Sequence, residues 1–458
     1  MSRWIVLLSL PWTCAAAPAQ WLEAPFAPPT AMRGATLAFD PTRGELLRFG
    51  GFDGAAYLAE TWSLGDAWSQ LAPAHSPSPR WGMELALDSH RGVIVGFGGA
   101  FSTTILADTW EWDGSDWRQV VTANVPDRQL QGFGGPGLIR HRMVYDTARR
   151  RVVLHGGTDW MGFAQNHLVW EYDGVDWQAV GSGGPGARRD AAMAFWPASG
   201  RTWLFGGIGA GGPWSDVWTW DGAVWSPVAV VGAEPAGRFD ARLALDAARG
   251  VLVLHGGTDV NALSHDDTWD FDGVVWTPWN LPAERRPRGP RNEFGMAWSP
   301  RHERVVVHAG FTSFTAPLDD TWLLGAAAEP FGSSCGGETL AASLRPRLGQ
   351  STTLRVEALA PGVTAAAIAF GVSDVTSVFG ALPFALAPLG GAGCALLVST
   401  DAIAPMVRQN GIAAYALALP ATPVLLGTTM FAQALLLDPA ANSLGARTTN
   451  ALELVLGR

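Results

Sequence analysis

Apolar and polar positions along most of this chain alternate with the period of two that half-buried β-strands require. The alternation is packaged in a unit that recurs, and residues 238–276 show it whole. Residues 238–245 read as a first strand, 246–250 as a turn, and 251–255 (VLVLH) as an uninterrupted apolar strand buried on both faces. Gly256-Gly257 ends that run, and a loop at 258–266 leads to a third strand around Trp269. An Asp272-Gly273 turn then delivers a fourth strand at Trp276. Asp-Gly between alternating apolar residues is a strong hairpin signal, because Gly takes the positive φ that a twisted hairpin needs. The hairpin returns at 108–117 (DTWEWDGSDW), 168–177 (LVWEYDGVDW) and 216–225 (DVWTWDGAVW). A shortened copy stands at 60–68 (ETWSLGDAW) and a truncated one at 320–325 (DTWLLG).

A spacing of about 50 residues points to a propeller or a solenoid, and four strands per unit favour a propeller blade. Double glycines mark each copy: Gly50-Gly51, Gly98-Gly99, Gly156-Gly157, Gly206-Gly207 and Gly256-Gly257, altered to Ala309-Gly310 in the sixth. A hydrophobic run, a Gly-Gly pair and two spaced aromatics together resemble the kelch repeat, over residues 20–325. The resemblance implies an all-β, six-bladed kelch β-propeller. The sixth unit stops after its third strand, at Trp322-Leu323-Leu324, while Gln20-Trp21-Leu22-Glu23 precedes the first unit as an orphan fourth strand. The N-terminal strand is therefore expected to complete the last blade and remove an open sheet edge. Trp62, Trp110, Trp170, Trp218, Trp269 and Trp322 are expected to pack between neighbouring blades.

Tryptophan ends at Trp322, and from Glu329 the chain becomes rich in Ala, Leu, Gly and Pro. The expected division is a signal peptide at 1–19, the propeller at 20–326 and a small antiparallel β-sandwich at 327–458. Strand-like runs at 353–359, 366–372, 394–399, 412–419, 430–437 and 452–456 carry the sandwich reading. The segments FGSSCG at 331–336 and LDPAAN at 437–442, with Gly393-Cys394 and the closing 450–457, resemble C-terminal sandwiches on secreted repeat proteins of environmental bacteria. That resemblance leaves adhesion, sorting and spacing all open.

Composition narrows the function classes. Of 458 residues 48% are hydrophobic and 16% charged, with 55 Gly, 31 Pro and 23 Trp, as suits short strands and tight turns. A net charge of -10 gives no footprint for nucleic acid or anionic lipid. Arg3, the apolar segment 4–12 and the Ala17-Pro18-Ala19 cleavage pattern read as an export signal. No later segment has the apolar length of a membrane helix. An exported chain with Cys335 and Cys394 left after cleavage is expected to form one disulfide, the alternative being two buried thiols.

Loops after the second strand share a face with those after the fourth, and they are the longer and more varied ones. Trp160, Met161, Phe163 and Trp214 lie there as candidate binding groups, or as groups folded back over strand edges. Three first strands open with Arg-x-acid: Arg188/Asp190, Arg238/Asp240 and Arg291/Glu293. Residues two apart on a strand share a side, so these pairs are expected as a charged ring at the mouth of a central channel. They read as salt bridges between blades or, as the resemblance to peptide-binding kelch domains implies, as a docking site. His155, His255 and His308 alternate with Phe49, Phe97 and Phe205 in one slot, which argues for packing over metal binding. The copper-radical oxidases of the kelch class need a Tyr–Cys cross-link, and this propeller holds no Cys and only Tyr57, Tyr145 and Tyr172. The reading is a secreted or cell-surface, monomeric, non-enzymatic module binding a protein or glycan, with no cofactor or metal. The alternative is a carbohydrate-active enzyme using the channel mouth.

Overall fold

A computed structural model describes residues 21–23, 30–127, 137–159, 166–279, 287, 289–312 and 316–324. From 327 to 455 it describes all but 332–333, 336, 343–350, 357–358, 375, 378–379, 390, 392–393, 410 and 420–428. The expected signal segment and cleavage site lie outside these residues. The chain divides into two compact units. The larger takes Trp21–Trp279 and Ala283–Leu324, and the smaller contains Gly325–Arg458.

The larger unit consists of four-stranded antiparallel sheets, numbered I to VI by their leading strands. These strands are Thr36–Asp40, Glu84–Asp88, Ile139–Asp146, Ala192–Trp196, Arg242–Asp246 and Gly295–Ser299. Sheets I to V each use four consecutive long strands. Sheet VI takes its fourth from the far end of the chain, where Trp21 pairs with Leu324, Leu22 with Leu323 and Glu23 with Trp322. Each leading strand lies beside that of the next sheet, and the leading strand of sheet VI lies beside that of sheet I.

Local chemistry explains both turns of the unit. Asp246 at the end of its strand accepts the backbone N–H groups of Ala248 and Arg249 on Oδ1, while Arg249 Nε donates to Oδ2 at 2.6 Å. The Asp113-Gly114 turn works similarly: Asp113 Oδ1 accepts the N–H of Ser115 and Asp116, and Gly114 sits at φ +100°. The paired glycines answer to neighbouring backbone. A Cβ on Gly206 would stand 2.7 Å from the Arg238 carbonyl oxygen of the next sheet and 2.9 Å from that of Trp214.

One kind of contact recurs between each sheet and another. The residue before each glycine pair packs its ring against a fourth-strand tryptophan of the following sheet. The pairs are Phe49–Trp117, Phe97–Trp177, His155–Trp225, Phe205–Trp276, His255–Trp21 and His308–Trp68, with centroids 4.5–5.3 Å apart. Histidine thus plays the packing role that its exchange with Phe suggested. Burial pushes His155 and His255 down to about 3 and His308 well below the ordinary imidazole value. The expected tryptophan set needs correcting. Trp62, Trp110, Trp218 and Trp269 are only half-buried, although Trp170 and Trp322 are buried. Trp21, Trp117, Trp177 and Trp276 on the fourth strands are deeply buried, as are Trp112 and Trp220 at the ends of third strands. The half-buried third-strand indoles turn back instead to acids two residues earlier, such as Asp108 for Trp110 and Asp216 for Trp218.

In the smaller unit a five-stranded antiparallel sheet runs in the order Ala327–Phe331, Ala446–Val455, Thr429–Leu437, Ala365–Gly371, Ala402–Pro405. A four-stranded sheet follows the order Leu340–Ala342, Ser351–Val356, Ile412–Ala418, Val407–Gln409. Leu354 and Val356 of one share a core with Ile368, Leu436 and Leu452 of the other. Cys335 and Cys394 form a disulfide across 59 residues, which sets aside the free-thiol alternative. In the chain-entropy model a loop of that size is worth about 4 kcal/mol. Among the described residues no helix is long and apolar enough to cross a membrane.

Candidate functional site

A three-residue lead opens every sheet of the larger unit: Met32-Arg33-Gly34, Arg80-Trp81-Gly82, Leu138-Ile139-Arg140, Arg188-Arg189-Asp190, Arg238-Phe239-Asp240 and Arg291-Asn292-Glu293. The first residue of each is buried. The third is left-handed in all six, with φ +67° at Gly34, +71° at Gly82, +60° at Arg140, +56° at Asp190, +58° at Asp240 and +48° at Glu293. Four non-glycine residues held there at equivalent places are costly, by about 1–3 kcal/mol each.

This conformation overturns the expectation that each Arg-x-acid pair shares one side. Alternation holds for extended backbone, and a left-handed third residue swings its side chain away from the first. Arg188, Arg238 and Arg291 turn into their own sheets. Arg188 holds both oxygens of Asp216 at 2.8 and 2.9 Å, Arg238 those of Asp267 at 2.5 and 3.0 Å, and Arg291 those of Asp320 at 3.0 and 2.9 Å. Each also donates to a carbonyl of its own sheet, namely that of Gly206, Gly256 or Ala309. Arg80 does the same with Asp108 and Gly98, an arrangement with no Arg-x-acid signature in the sequence.

The acids converge without those arginines. Arg140 reaches Asp190 at 3.0 Å, Glu293 at 3.6 Å and Asp240 at 3.8 Å. Arg142 bridges Asp240 at 3.4 Å and Glu84 at 3.2 Å, and Arg242 reaches Glu84 at 2.8 Å. Arg189 and Arg33 flank the group, pairing with Asp190 and Glu293. Backbone bonds tie the positions together: Gly34 N–H to Glu293, Gly82 N–H to Gly34, Asp190 N–H to Arg140 and Asp240 N–H to Asp190, each carbonyl accepting at 2.8–2.9 Å. Burial works to raise the Asp190 carboxyl, but the Arg140, Arg189 and Arg142 guanidiniums outweigh it and hold it below the usual range. Burial, and then the charge of Asp190, push Asp240 above that range. The space enclosed by this cluster is about 20 Å³, room for about one water. Among the described residues no group of three or more His, Cys, Asp or Glu could hold a metal ion.

Aromatic groups surround the cluster at the same strand ends. Phe52 packs on Tyr57 at 4.9 Å and Tyr57 on Phe101 at 5.2 Å, and Phe101 is 47% exposed. The Arg33 guanidinium lies 5.3 Å from the Phe52 ring and 4.8 Å from that of Phe311. Of the aromatic candidates named from sequence, Trp214 is half-buried with Arg188 over its ring at 4.2 Å, which occupies one of its faces. Trp160, Met161 and Phe163 lie outside the described residues. Phe52, Tyr57, Phe101 and Arg33 escaped the sequence reading. The signal for Phe52 and Phe101 was an aromatic within two residues of a glycine pair, echoed by Phe311 after the altered Ala309-Gly310.

No family model matches the chain. No curated protein matches it either. Among solved structures 52 chains match, including AofleA from Arthrobotrys oligospora, 13% identical, with a TM-score of 0.37 over 65% of this chain and 85% of that one. At that level of likeness nothing is carried over to this chain.

Proposed function

We propose that the larger unit is a kelch-type six-bladed β-propeller of an exported protein, acting as a non-enzymatic module that binds a glycan or protein at its loop-bearing face. The smaller unit is a β-sandwich that spaces or anchors it. Neighbouring leading strands, the His/Phe–Trp contacts and the backbone bond from Gly34 to Glu293 support the ring. The disulfide supports an oxidising, extracellular setting.

The observation that carries the binding reading is the half-exposed Phe52–Tyr57–Phe101 run beside Arg33. Partly exposed rings suit stacking against a sugar or an aromatic side chain, and Arg33 adds a directional donor. A carbohydrate-active enzyme at the channel mouth is disfavoured. It needs a cleft holding an available acid, whereas Asp190, Asp240 and Glu293 are all engaged by arginine around a water-sized space. The test is a glycan array with a pull-down, run on the mature protein and on Phe101→Ala and Tyr57→Ala. A ligand captured by the wild type and weakened at least tenfold in both variants supports the proposal. Silence in both assays, or capture that ignores both substitutions, overturns it.

A further inference from the structure

Asp190 and Asp240 end the leads of sheets IV and V, and the arginines around them serve the two carboxyls unequally. Asp190 Oδ2 accepts Arg140 Nη1 at 3.0 Å and Arg189 Nη1 at 2.6 Å. Its Oδ1 is buried and accepts no N–H among the described residues. Asp240 is buried too, but its guanidinium contacts are longer, 3.4 Å to Arg142 and 3.8 Å to Arg140. Both residues are left-handed, and the Asp240 N–H donates to the Asp190 carbonyl at 2.9 Å. The backbone step that joins sheets IV and V thus also brings the two acids together, and the Asp240 carboxyl lies within hydrogen-bonding reach of the Asp190 carboxylate.

Two ionised carboxylates have no proton to share. Beside a space of about 20 Å³, with room for about one water, their charges repel at close range. A single proton removes both difficulties. On Asp240 it makes a hydroxyl donor for Asp190, which keeps its charge for Arg140 and Arg189. The surrounding charges favour that placement. Glu84 of sheet II takes up Arg142 at 3.2 Å and Arg242 of sheet V at 2.8 Å, and Glu293 of sheet VI shares Arg140 and Arg33, so Asp240 is left with the longest ion contacts. His141, buried beside Arg142, is pushed down to about 4 and adds no charge near neutral pH. Burial, and then the charge of Asp190, push Asp240 up to about 8.

We propose that Asp190 and Asp240 hold one proton between them in the folded protein, and that the pair is a pH-sensitive lock on the junction of sheets IV and V, released when mild alkali removes that proton. The folded state keeps the proton to a higher pH than the unfolded chain, where an aspartate titrates near 3.9. Stability from the pair is therefore full below about pH 4 and is lost as pH rises toward about 8. No ligand takes part, so failure of the face-binding proposal leaves the lock untouched.

Urea unfolding of the full chain at about pH 6 and about pH 9, in the wild type and in Asp240→Asn, tests the lock. Asparagine keeps the shape of the neutral acid and its amide still donates to Asp190, but it holds no titrating proton. Between the two pH values the wild-type unfolding constant should rise roughly 100-fold more than that of Asp240→Asn, about tenfold for each unit up to the folded value. Infrared spectra give a second readout. A protonated carboxyl C=O band should be present in the wild type at about pH 6, vanish by about pH 9, and be absent from Asp240→Asn at both. If Asp240→Asn fails to fold, the wild-type band decides alone. An equal pH response in the two proteins, no such band in the wild type, or the same band in Asp240→Asn overturns the assignment.

Discussion

The indole Nε1 of Trp21 donates to Thr268 Oγ1 at 2.9 Å, joining residues 247 positions apart in the chain. The same bond links Trp68 to Thr321, Trp117 to Thr61 and Trp177 to Thr109, always from a fourth strand to the third strand of the preceding sheet. Trp21 therefore does for sheet VI what tryptophans within the repeats do for sheets I, II and III. Its ring also packs on His255 at 5.1 Å and is 1% exposed.

Trp21→Ala should lower the stability of the larger unit by about 3–5 kcal/mol, the range for removing a buried aromatic side chain. Urea unfolding followed by tryptophan fluorescence measures it. A loss below about 1 kcal/mol would place Trp21 outside the packed structure.

Two indoles lack the bond that Trp21 makes. Val169 and Val217 stand where the other sheets have threonine, and the Nε1 groups of Trp225 and Trp276 have no acceptor among the described residues. Val169→Thr and Val217→Thr should each stabilise by about 1 kcal/mol, because the new hydroxyl meets a waiting donor. Thermal unfolding checks this, and a lowered midpoint in both would mean that the hydroxyl is buried without a partner.

The buried histidines make stability fall in acid. In the unfolded chain an imidazole titrates near 6.5, while burial holds His155 at about 3 in the fold. Below about pH 6.5 the unfolded state takes up a proton that the folded state refuses, so stability is full above that pH and is lost as pH falls toward 3. One such group removes about 2 kcal/mol between pH 7 and pH 5. His155→Phe, the residue of sister slots, should flatten this dependence by that amount when unfolding free energies at the two pH values are compared. An unchanged slope would show that His155 is already protonated or exposed.

Arg188, Arg238 and Arg291 should behave as structural groups. Arg238→Gln leaves the half-buried Asp267 without its ion partner and should cost about 1–3 kcal/mol. Partner affinity of the folded fraction should stay within twofold. A stable variant with abolished binding would return Arg238 to the contact surface.

Much of this arrangement was legible because each repeat states its chemistry locally. Asp-Gly turns, apolar runs ended by glycine pairs and the missing last strand of the sixth unit all follow from spacing and residue type, and Trp21 to Glu23 does pair with Trp322 to Leu324. The charged cluster was not legible. Alternation places Asp190 beside Arg188, but a φ of +56° sends the acid to Arg140, fifty residues earlier, and leaves the arginine to Asp216. The acids in these pairs came together and the arginines did not, because a single backbone angle decides it and no residue type announces a left-handed aspartate. The Phe52–Tyr57–Phe101 run was hidden for another reason: its rings come from two repeats and meet only once sheets I and II lie side by side.

Trp21–Glu23 completes the sixth sheet, and amide hydrogen exchange measures that directly. The Thr321–Leu324 amides should exchange as slowly as those of Thr268–Phe271, which has a strand on each side. Trp21→Ala should speed exchange at 321–324 well before it affects 268–271. Exchange of Thr321–Leu324 at the rate of an open sheet edge in the wild type, unchanged by Trp21→Ala, would contradict the account.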